Sequence, residues 1–309
     1  MKVARIVWQG ATVHGIVDAE AGTVAPLDAS VDLFAALGGA GQPGAPVALD
    51  DVQLLAPLEP PSFRDFITFE EHIEGPSLAR GGIPETWYEI PTFYFTSVAA
   101  VTGTGADIPV PPGCERFDFE CELAAVIGRE GGDLTPEQAH EHIAGYTIFN
   151  DWSARDIQMH EMRIGLGPAK GKDSANTLGP WIVSADEMER YRRDDRLHVE
   201  MEVLRNGELF GADTAANMQW SFGQLAAYAS RGTRLRPGDV IGSGTCGAGC
   251  LLEIWGRRGR DDPPPLTAGD EIELRVEGIG AIRNRIVEGV AKVDIGAGRA
   301  PGFRRERSW

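Results

Sequence analysis

Two carboxylates, Glu120 and Glu122, lie in an otherwise apolar stretch over residues 117–128, FDFECELAAVIG. The stretch predicts a buried strand, and residues two apart on a strand point to the same face. Two like charges in such a strand repel each other and lose hydration, so we expect a positive group between them. For an isolated acidic pair, the solvent edge of an exposed strand is about an equally frequent alternative.

A third carboxylate, Asp151, follows a second apolar run at residues 146–149. A helical pattern begins near Ser153, so Asp151 is expected at the end of a strand, where loops carry chemistry. Three carboxylates from two strands supply the oxygen ligands that Mg²⁺ and Ca²⁺ prefer. No His or Cys accompanies them at the spacing of a zinc site, which argues against zinc.

The composition is that of an ordinary soluble enzyme, with 42% hydrophobic and 24% charged residues among 309. A net charge of −17 disfavours nucleic acid and anionic membranes as partners. Because neither an apolar signal segment nor an 18-residue apolar run occurs, we expect a cytoplasmic protein without a membrane span. The four cysteines are too few and too scattered for a disulfide framework or a structural zinc site, and we expect reduced thiols.

A Pro-containing break in the sequence pattern predicts two domains. Residues 59–62, EPPS, interrupt the pattern strongly, which favours a small N-terminal β domain over 1–62 and a catalytic domain over 63–309. Strands dominate and do not alternate with long helices, so we expect a strand-rich α+β fold and no doubly wound sheet. The Gly-rich segment 242–249 lacks the Lys-Ser/Thr of a P-loop, which argues against nucleotide binding.

Three further polar residues are interpreted from their local patterns. Asp65 and His72 are seven residues apart in FRDFITFEEHIE, two turns of a predicted helix, so they could share a face. A lone His is more often a core or surface residue than a catalytic one. Glu253 is isolated in what reads as an apolar strand, LLEIW.

Five segments in this order resemble the fumarylacetoacetate hydrolase family: DFECELAAVIG, AGYTIFNDWSARDIQ, KGKDSANTLGPWIV, LRPGDVIGSGT and LTAGDEIELRVEGIGAIRNRI. The resemblance covers roughly residues 63–287, and the nine consecutive residues NDWSARDIQ make it specific. It implies a mixed β-roll with flanking helices behind a small N-terminal β domain. Such proteins are commonly homodimers, so we expect a homodimer.

The resemblance also assigns expected roles to residues of the site. A divalent metal, Mg²⁺, Mn²⁺ or Ca²⁺, would be held by Glu120, Glu122, Asp151 and, as a candidate fourth ligand, Asp65. The expected catalytic groups are His72 as general base, Glu253 as its orienting partner, and Lys172 and Gln158 as stabilisers of the oxyanion. The expected substrate contacts are Tyr94, Thr245 and, in a Gly- and Pro-containing loop, Arg80.

The function implied is hydrolysis of a C–C bond in a β-diketo acid, an acylpyruvate or a compound like fumarylacetoacetate, as in aromatic catabolism. Decarboxylation, hydration or isomerisation of a 2-oxo acid on the same fold is the first alternative, and a non-catalytic binding protein is the second. Many relatives carry a Glu three residues after the His in a closing lid. Here Gly75 takes that position and Glu74 lies two residues after His72, which weakens the decarboxylase alternative. The presence of both His72 and Glu253 favours hydrolysis.

Overall fold

The computed structural model describes residues 1–77 and 81–299, so Arg80 lies outside the described residues. The strands are β1 (Lys2–Trp8), β2 (Ala11–Asp18), β3 (Thr23–Pro26), β4 (Val47–Ala48), β5 (Gln53–Leu54), β6 (Phe63–Phe66), β7 (Phe93–Phe95), β8 (Val101–Thr102), β9 (Asp107–Pro109), β10 (Phe117–Asp118), β11 (Cys121–Ile127), β12 (Ile143–Asp151), β13 (Ser153–Ala154), β14 (Asn176–Ser184), β15 (Arg192–Arg193), β16 (Arg196–Leu197), β17 (Glu200–Arg205), β18 (Glu208–Thr214), β19 (Val240–Gly242), β20 (Glu271–Val276) and β21 (Gly280–Val287). The helices are α1 (Leu33–Leu37), α2 (Glu70–Ser77), α3 (Thr86–Glu89), α4 (Pro136–His140), α5 (Arg155–Glu161), α6 (Ala185–Met188), α7 (Phe222–Ser230) and α8 (Leu251–Arg258).

One large mixed sheet runs through the molecule in the order β4-β3-β2-β1-β14-β12-β11-β19-β6-β7. Most neighbours are antiparallel, whereas β19 and β6 are parallel. The N-terminal strands join this sheet because β1 pairs with β14, with Lys2 opposite Val183. The expected strand-rich α+β fold with an N-terminal β domain is confirmed. The division at residue 62 stays a prediction.

A second sheet, in the order β18-β17-β20-β21-β9, packs against the large one. Their shared core includes Leu123 and Ile148 from the large sheet and Val203 and Leu274 from the smaller one, all buried. On the opposite face of β11, Ala124 and Val126 belong to a separate cluster. The alternation predicted for this strand is therefore present, although both of its faces are buried. Within the described residues, none of the helices has the length and apolar character needed to cross a membrane.

Local hydrogen bonds and turn residues mark the ends of several elements. Helix α7 begins after Ser221, whose hydroxyl accepts from the backbone N–H of Gln224. Asn206 and Gly207, both at positive φ, join β17 to β18 in a hairpin. Helix α4 begins after Thr135, whose hydroxyl accepts from the backbone N–H of Gln138.

Two elements differ from the sequence interpretation. Asp65 lies on strand β6 and His72 on helix α2, so they do not share a helix. Pairing of β6 with β19 and β7 overrides the helical spacing in this segment. Glu253 lies on helix α8 and not on a strand. The buried carboxylate of Asp118 accepts from the first backbone N–H groups of this helix, a contact across 133 residues that local pattern cannot indicate.

Candidate metal and active site

Four buried carboxylates meet at the middle of the large sheet. One oxygen from each of Asp65, Glu120, Glu122 and Asp151 lies within 4.8 Å of the others. Glu122 lies on β11, Glu120 immediately precedes that strand, and Asp151 ends the adjacent strand β12. Asp65 reaches the cluster from β6, where it is paired with Gly242 of β19. A side chain at that glycine would collide with the Asp65 carboxylate, so the backbone there leaves room for the acids.

The expected positive charge lies beside Glu120. Nη2 of Arg155 donates to Oε1 of Glu120 at 2.6 Å. Nζ of Lys172 donates to Oε2 of Glu120 and, at 2.6 Å, to Oδ2 of Asp151. Although burial raises it, these two cations hold the pKa of Glu120 well below its usual range. Glu120 is therefore a carboxylate with its charge already balanced.

The other three carboxylates are less compensated than Glu120, although Lys172 also bonds Asp151. Among the described residues, no hydrogen-bond partner meets Oδ1 of Asp65, Oε1 of Glu122 or Oδ1 of Asp151. Burial and the charge of Asp151 raise the pKa of Asp65 to about 8, and burial raises the pKa of Asp151 to about 6. Burial and the adjacent Asp65 raise the pKa of Glu122 well above its usual range. Buried, unpartnered carboxylate oxygens of this kind fit a hard divalent cation, which would supply the missing charge.

His72 lies at the edge of the cluster. Its Nε2 is 3.9 Å from Oε1 of Glu120. Its Nδ1 is 3.5 Å from Sγ of Cys250 and 4.0 Å from Oε2 of Glu253. Burial lowers the pKa of His72 to about 4, so the imidazole is neutral near pH 7 and able to accept a proton.

Helix α8 holds Glu253 against the helix that carries His72. The Glu253 carboxylate accepts from the backbone N–H of Ala248 at 2.9 Å and forms an ion pair with Nη2 of Arg257 at 3.1 Å. Nη1 of Arg257 also donates to Glu71, the residue before His72. Arg257 therefore links α2 to α8, the helices that carry His72 and Glu253.

The remaining predicted residues lie around the cluster. Oη of Tyr94 donates to Oδ2 of Asp151 at 2.5 Å, so this tyrosine touches the cluster directly. Gln158 reaches the carboxylate cluster through Arg155, because its Oε1 accepts from Nη1 of that arginine at 3.1 Å. Thr245 is buried in the Gly-rich loop.

That loop also contacts the carboxylates. The N–H of Gly244, the residue before Thr245, donates to Oε2 of Glu122 at 2.9 Å. The loop therefore approaches the carboxylates through its backbone. Apart from Arg80, the predicted site residues lie in the carboxylate cluster, in this loop or beside one of the two.

Sequence reasoning missed three residues that shape the site: Arg155, Asp118 and Cys250. Arg155 is the first residue of α5 and lies inside the segment NDWSARDIQ, where a cation among predicted carboxylates was an available signal. Asp118 lies two residues before Glu120 and accepts from Nε of Arg155 at 2.8 Å. Cys250 reaches His72 across 178 residues, and the sequence carries no local sign of this contact.

Comparison with known proteins decides the family. The model described as "Fumarylacetoacetate (FAA) hydrolase C-terminal" matches residues 63–287. The chain belongs to the fumarylacetoacetate hydrolase family. Residues 1–57 match a second model, described as "Rv2993c-like, N-terminal".

Relatives within and around this family have different activities. The chain is 32% identical to oxaloacetate tautomerase YisK of Bacillus subtilis (strain 168), over 77% of this chain and 74% of the relative. It is 28% identical to the fumarylacetoacetase of Oryza sativa subsp. japonica, over 74% of this chain and 66% of the relative. A solved fumarylacetoacetate hydrolase from Exiguobacterium antarcticum superposes with a TM-score of 0.72 and 28% identity, covering 93% of this chain and 99% of that one. These relatives share the family and differ in the reaction for which each is named.

Proposed function

We propose that this chain is a divalent-metal-dependent hydrolase that cleaves a C–C bond in a β-diketo acid, such as an acylpyruvate. One observation carries the proposal: a neutral, buried imidazole, His72, faces a carboxylate cluster in which three oxygens have no hydrogen-bond partner among the described residues. A base beside a metal site is the arrangement that hydrolysis of a dicarbonyl compound needs. The fumarylacetoacetase among the relatives and the solved fumarylacetoacetate hydrolase support this choice.

The metal would be held by Glu120, Glu122, Asp151 and Asp65. Mg²⁺, Mn²⁺ and Ca²⁺ are the candidates, because all four ligands are oxygens. When bound, it would polarise the dicarbonyl oxygens of the substrate as a Lewis acid.

His72 would activate water. Its Nε2 accepts a proton from the water molecule while the water oxygen bonds to a carbonyl carbon of the substrate. Glu253, on the side of Nδ1, favours the tautomer in which Nδ1 carries the proton and Nε2 is free to accept one. The C–C bond then breaks, its electron pair stays on the leaving carbon as an enolate, and the proton on His72 passes to that carbon.

Lys172 would stabilise the negative charge that develops on oxygen. An ammonium group has three N–H donors, and Glu120 and Asp151 occupy two of them. The third is available for the oxyanion of the substrate. Gln158 would act through Arg155, which it contacts. Tyr94, Thr245 and Arg80 remain the proposed substrate contacts.

A second candidate, tautomerisation of a 2-oxo acid such as oxaloacetate, is favoured by the Bacillus relative. The same imidazole would move a proton between carbon and oxygen, and no water would be consumed. Incubation with a panel of acylpyruvates and with oxaloacetate, followed by product analysis, separates the two. Two acid fragments from an acylpyruvate would support hydrolysis, whereas enol–keto exchange without cleavage would overturn it in favour of the tautomerase.

Replacement of His72 tests its role in either reaction. We expect His72→Ala to lower turnover by about 10²–10⁴-fold, the usual contribution of general-base catalysis. Metal affinity should change little, because His72 is not a proposed ligand. His140→Ala is the matched control, since His140 pairs with Glu189 away from the site. Parent-like turnover in His72→Ala would remove this residue from the mechanism.

A homodimer, a cytoplasmic location and a place in aromatic catabolism stay predictions. Measurement of the molecular mass in solution checks the homodimer, and the substrate panel bears on the place in aromatic catabolism. Limited proteolysis near residue 62 checks the proposed division into 1–62 and 63–309.

A further inference from the structure

We propose that His72, Cys250 and Glu253 form a second metal site, specific for borderline or soft divalent cations such as Zn²⁺, and that its occupation silences the enzyme. The silencing part rests on the proposed function, because it requires His72 to be the base. The site itself rests on geometry alone. One ligand atom from each of the three buried residues lies within 4.8 Å of the others.

The spacing of the three ligand atoms approaches that of a tetrahedral site. With Zn–S near 2.3 Å and Zn–N near 2.05 Å, tetrahedral angles put the nitrogen and sulfur about 3.6 Å apart. Nδ1 of His72 and Sγ of Cys250 are 3.5 Å apart. The corresponding nitrogen–oxygen distance would be about 3.3 Å. Oε2 of Glu253 is 4.0 Å from Nδ1, so modest side-chain rotation completes three ligands of a tetrahedron.

The ligand types separate this site from the carboxylate cluster. A thiolate and an imidazole select Zn²⁺ and softer ions, whereas oxygen ligands alone suit Mg²⁺ and Ca²⁺. Cys250 directly precedes helix α8 without capping it, and its sulfur instead lies against Nδ1 of His72, a second proposed ligand. Burial raises the pKa of the Cys250 thiol, and an incoming cation would displace its proton. The thiolate would then add its negative charge to that of Glu253, which is shared with Arg257.

Occupation of this site would remove the base. A metal on Nδ1 uses the lone pair of that nitrogen, so the single proton of the neutral imidazole must lie on Nε2. Nε2 faces Glu120 and the carboxylate cluster. It would then be a hydrogen-bond donor toward the substrate side and could not accept a proton from water.

The test uses Cd²⁺ as a probe on the full-length chain with the carboxylate cluster saturated by Mg²⁺. Ultraviolet sulfur-to-cadmium charge-transfer absorption and residual activity are followed in the same titration. We expect the absorption to saturate at one Cd²⁺ per chain as activity is lost, and excess chelator followed by Mg²⁺ to restore activity. Calorimetric titration with Zn²⁺ under the same conditions should give the same stoichiometry.

Single substitutions then identify the ligands. Cys250→Ser should abolish the absorption and weaken Cd²⁺ binding by at least about 100-fold, since even outer-shell partners are worth about 10–100-fold. Glu253→Gln should weaken binding without removing the absorption, which keeps the test available if Cys250→Ser fails to fold. Cys114→Ser is the matched control, because this thiol bonds Asp156 elsewhere, and it should behave as the parent.

The outcomes distinguish this site from the proposed function. No charge-transfer absorption, or absorption that persists in a folded Cys250→Ser variant, overturns the site. Absorption lost in Cys250→Ser together with full activity of the Cd²⁺-loaded parent supports the site and overturns both the silencing and the role of His72 as base.

Discussion

Two buried carboxylates four residues apart, Asp118 and Glu122, have opposite surroundings. Both are fully buried. The oxygens of Asp118 accept four hydrogen bonds of 2.8–3.0 Å, from the N–H groups of Phe119, Leu251 and Leu252 and from Nε of Arg155. By contrast, Oε1 of Glu122 has no hydrogen-bond partner among the described residues.

The difference shows that burial alone does not mark a functional carboxylate. A buried charge with all its partners in the protein supports the fold, whereas one without them needs something from outside. Asp118 therefore supports the framework of the site, whereas Glu122 has the open oxygen expected of a proposed metal ligand.

The largest expected effect tests the structural half of this comparison. Asp118→Asn should destabilise the protein by about 3–5 kcal/mol, because Arg155 loses one partner of a buried ion pair. Glu122→Gln, measured in chelator, should cost less than about 1 kcal/mol or stabilise, since it removes an uncompensated buried acid. Urea unfolding of both variants gives the two values. Glu130→Gln, in an exposed ion pair, should stay within about 0.5 kcal/mol and serves as the control. Equal losses of stability in Asp118→Asn and Glu122→Gln would contradict the distinction between the two carboxylates.

An intermediate effect tests the chemical half. A ligand that binds only the folded state stabilises it by about 2.7 kcal/mol at a hundredfold excess over its Kd. Mg²⁺ or Mn²⁺ at that level should therefore stabilise the parent and Asp118→Asn, provided the latter folds. Glu122→Gln should gain almost nothing at the same concentration. Thermal or urea unfolding with and without metal measures this, and a full gain in Glu122→Gln would move the metal site elsewhere.

The smallest effect extends the comparison to a satisfied carboxylate far from the site, Asp270. Burial raises its pKa, but hydrogen bonds from the Thr267 N–H, Asn206 and Arg205 outweigh this and lower it below the usual value. Its stabilising contribution is then present above the unfolded pKa of about 3.9 and is lost as pH falls through the lower folded value.

We therefore expect Asp270→Asn to cost roughly 1 kcal/mol at pH 7, the scale of a satisfied hydrogen-bonding group. The difference from the parent should shrink as the pH falls below about 4. Urea unfolding over a pH series measures it. A difference that grows toward acid would contradict the sign of the shift.

Much of this site could be predicted because part of it is local in sequence. Glu120 and Glu122 lie on or beside one strand, and Asp151 ends the neighbouring strand, so period-two alternation and strand ends were enough to find them. Helix caps such as Ser221 were also predictable, because the cap and its partner are three residues apart.

The rest depends on contacts that sequence order hides. Glu253 was assigned to a strand because a short apolar run is compatible with either a helix or a strand. The hydrogen bond at the start of helix α8 comes from Asp118, which is distant in sequence. Asp65 and His72 reach the site from a strand and a helix rather than from one helix. The contact of Cys250 with His72 spans 178 residues, so the argument against zinc from sequence spacing could not anticipate the trio that the fold assembles.

The single side chain of Asp118 joins two parts of the site that no continuous segment connects. It holds the start of α8, which carries Glu253, and it holds Arg155, which secures Glu120. Asp118 thus connects Glu253, the proposed partner of the base, to Glu120, a proposed metal ligand. An engineer seeking new substrates should therefore keep Asp118, because a change there would reach the supports of both Glu253 and Glu120.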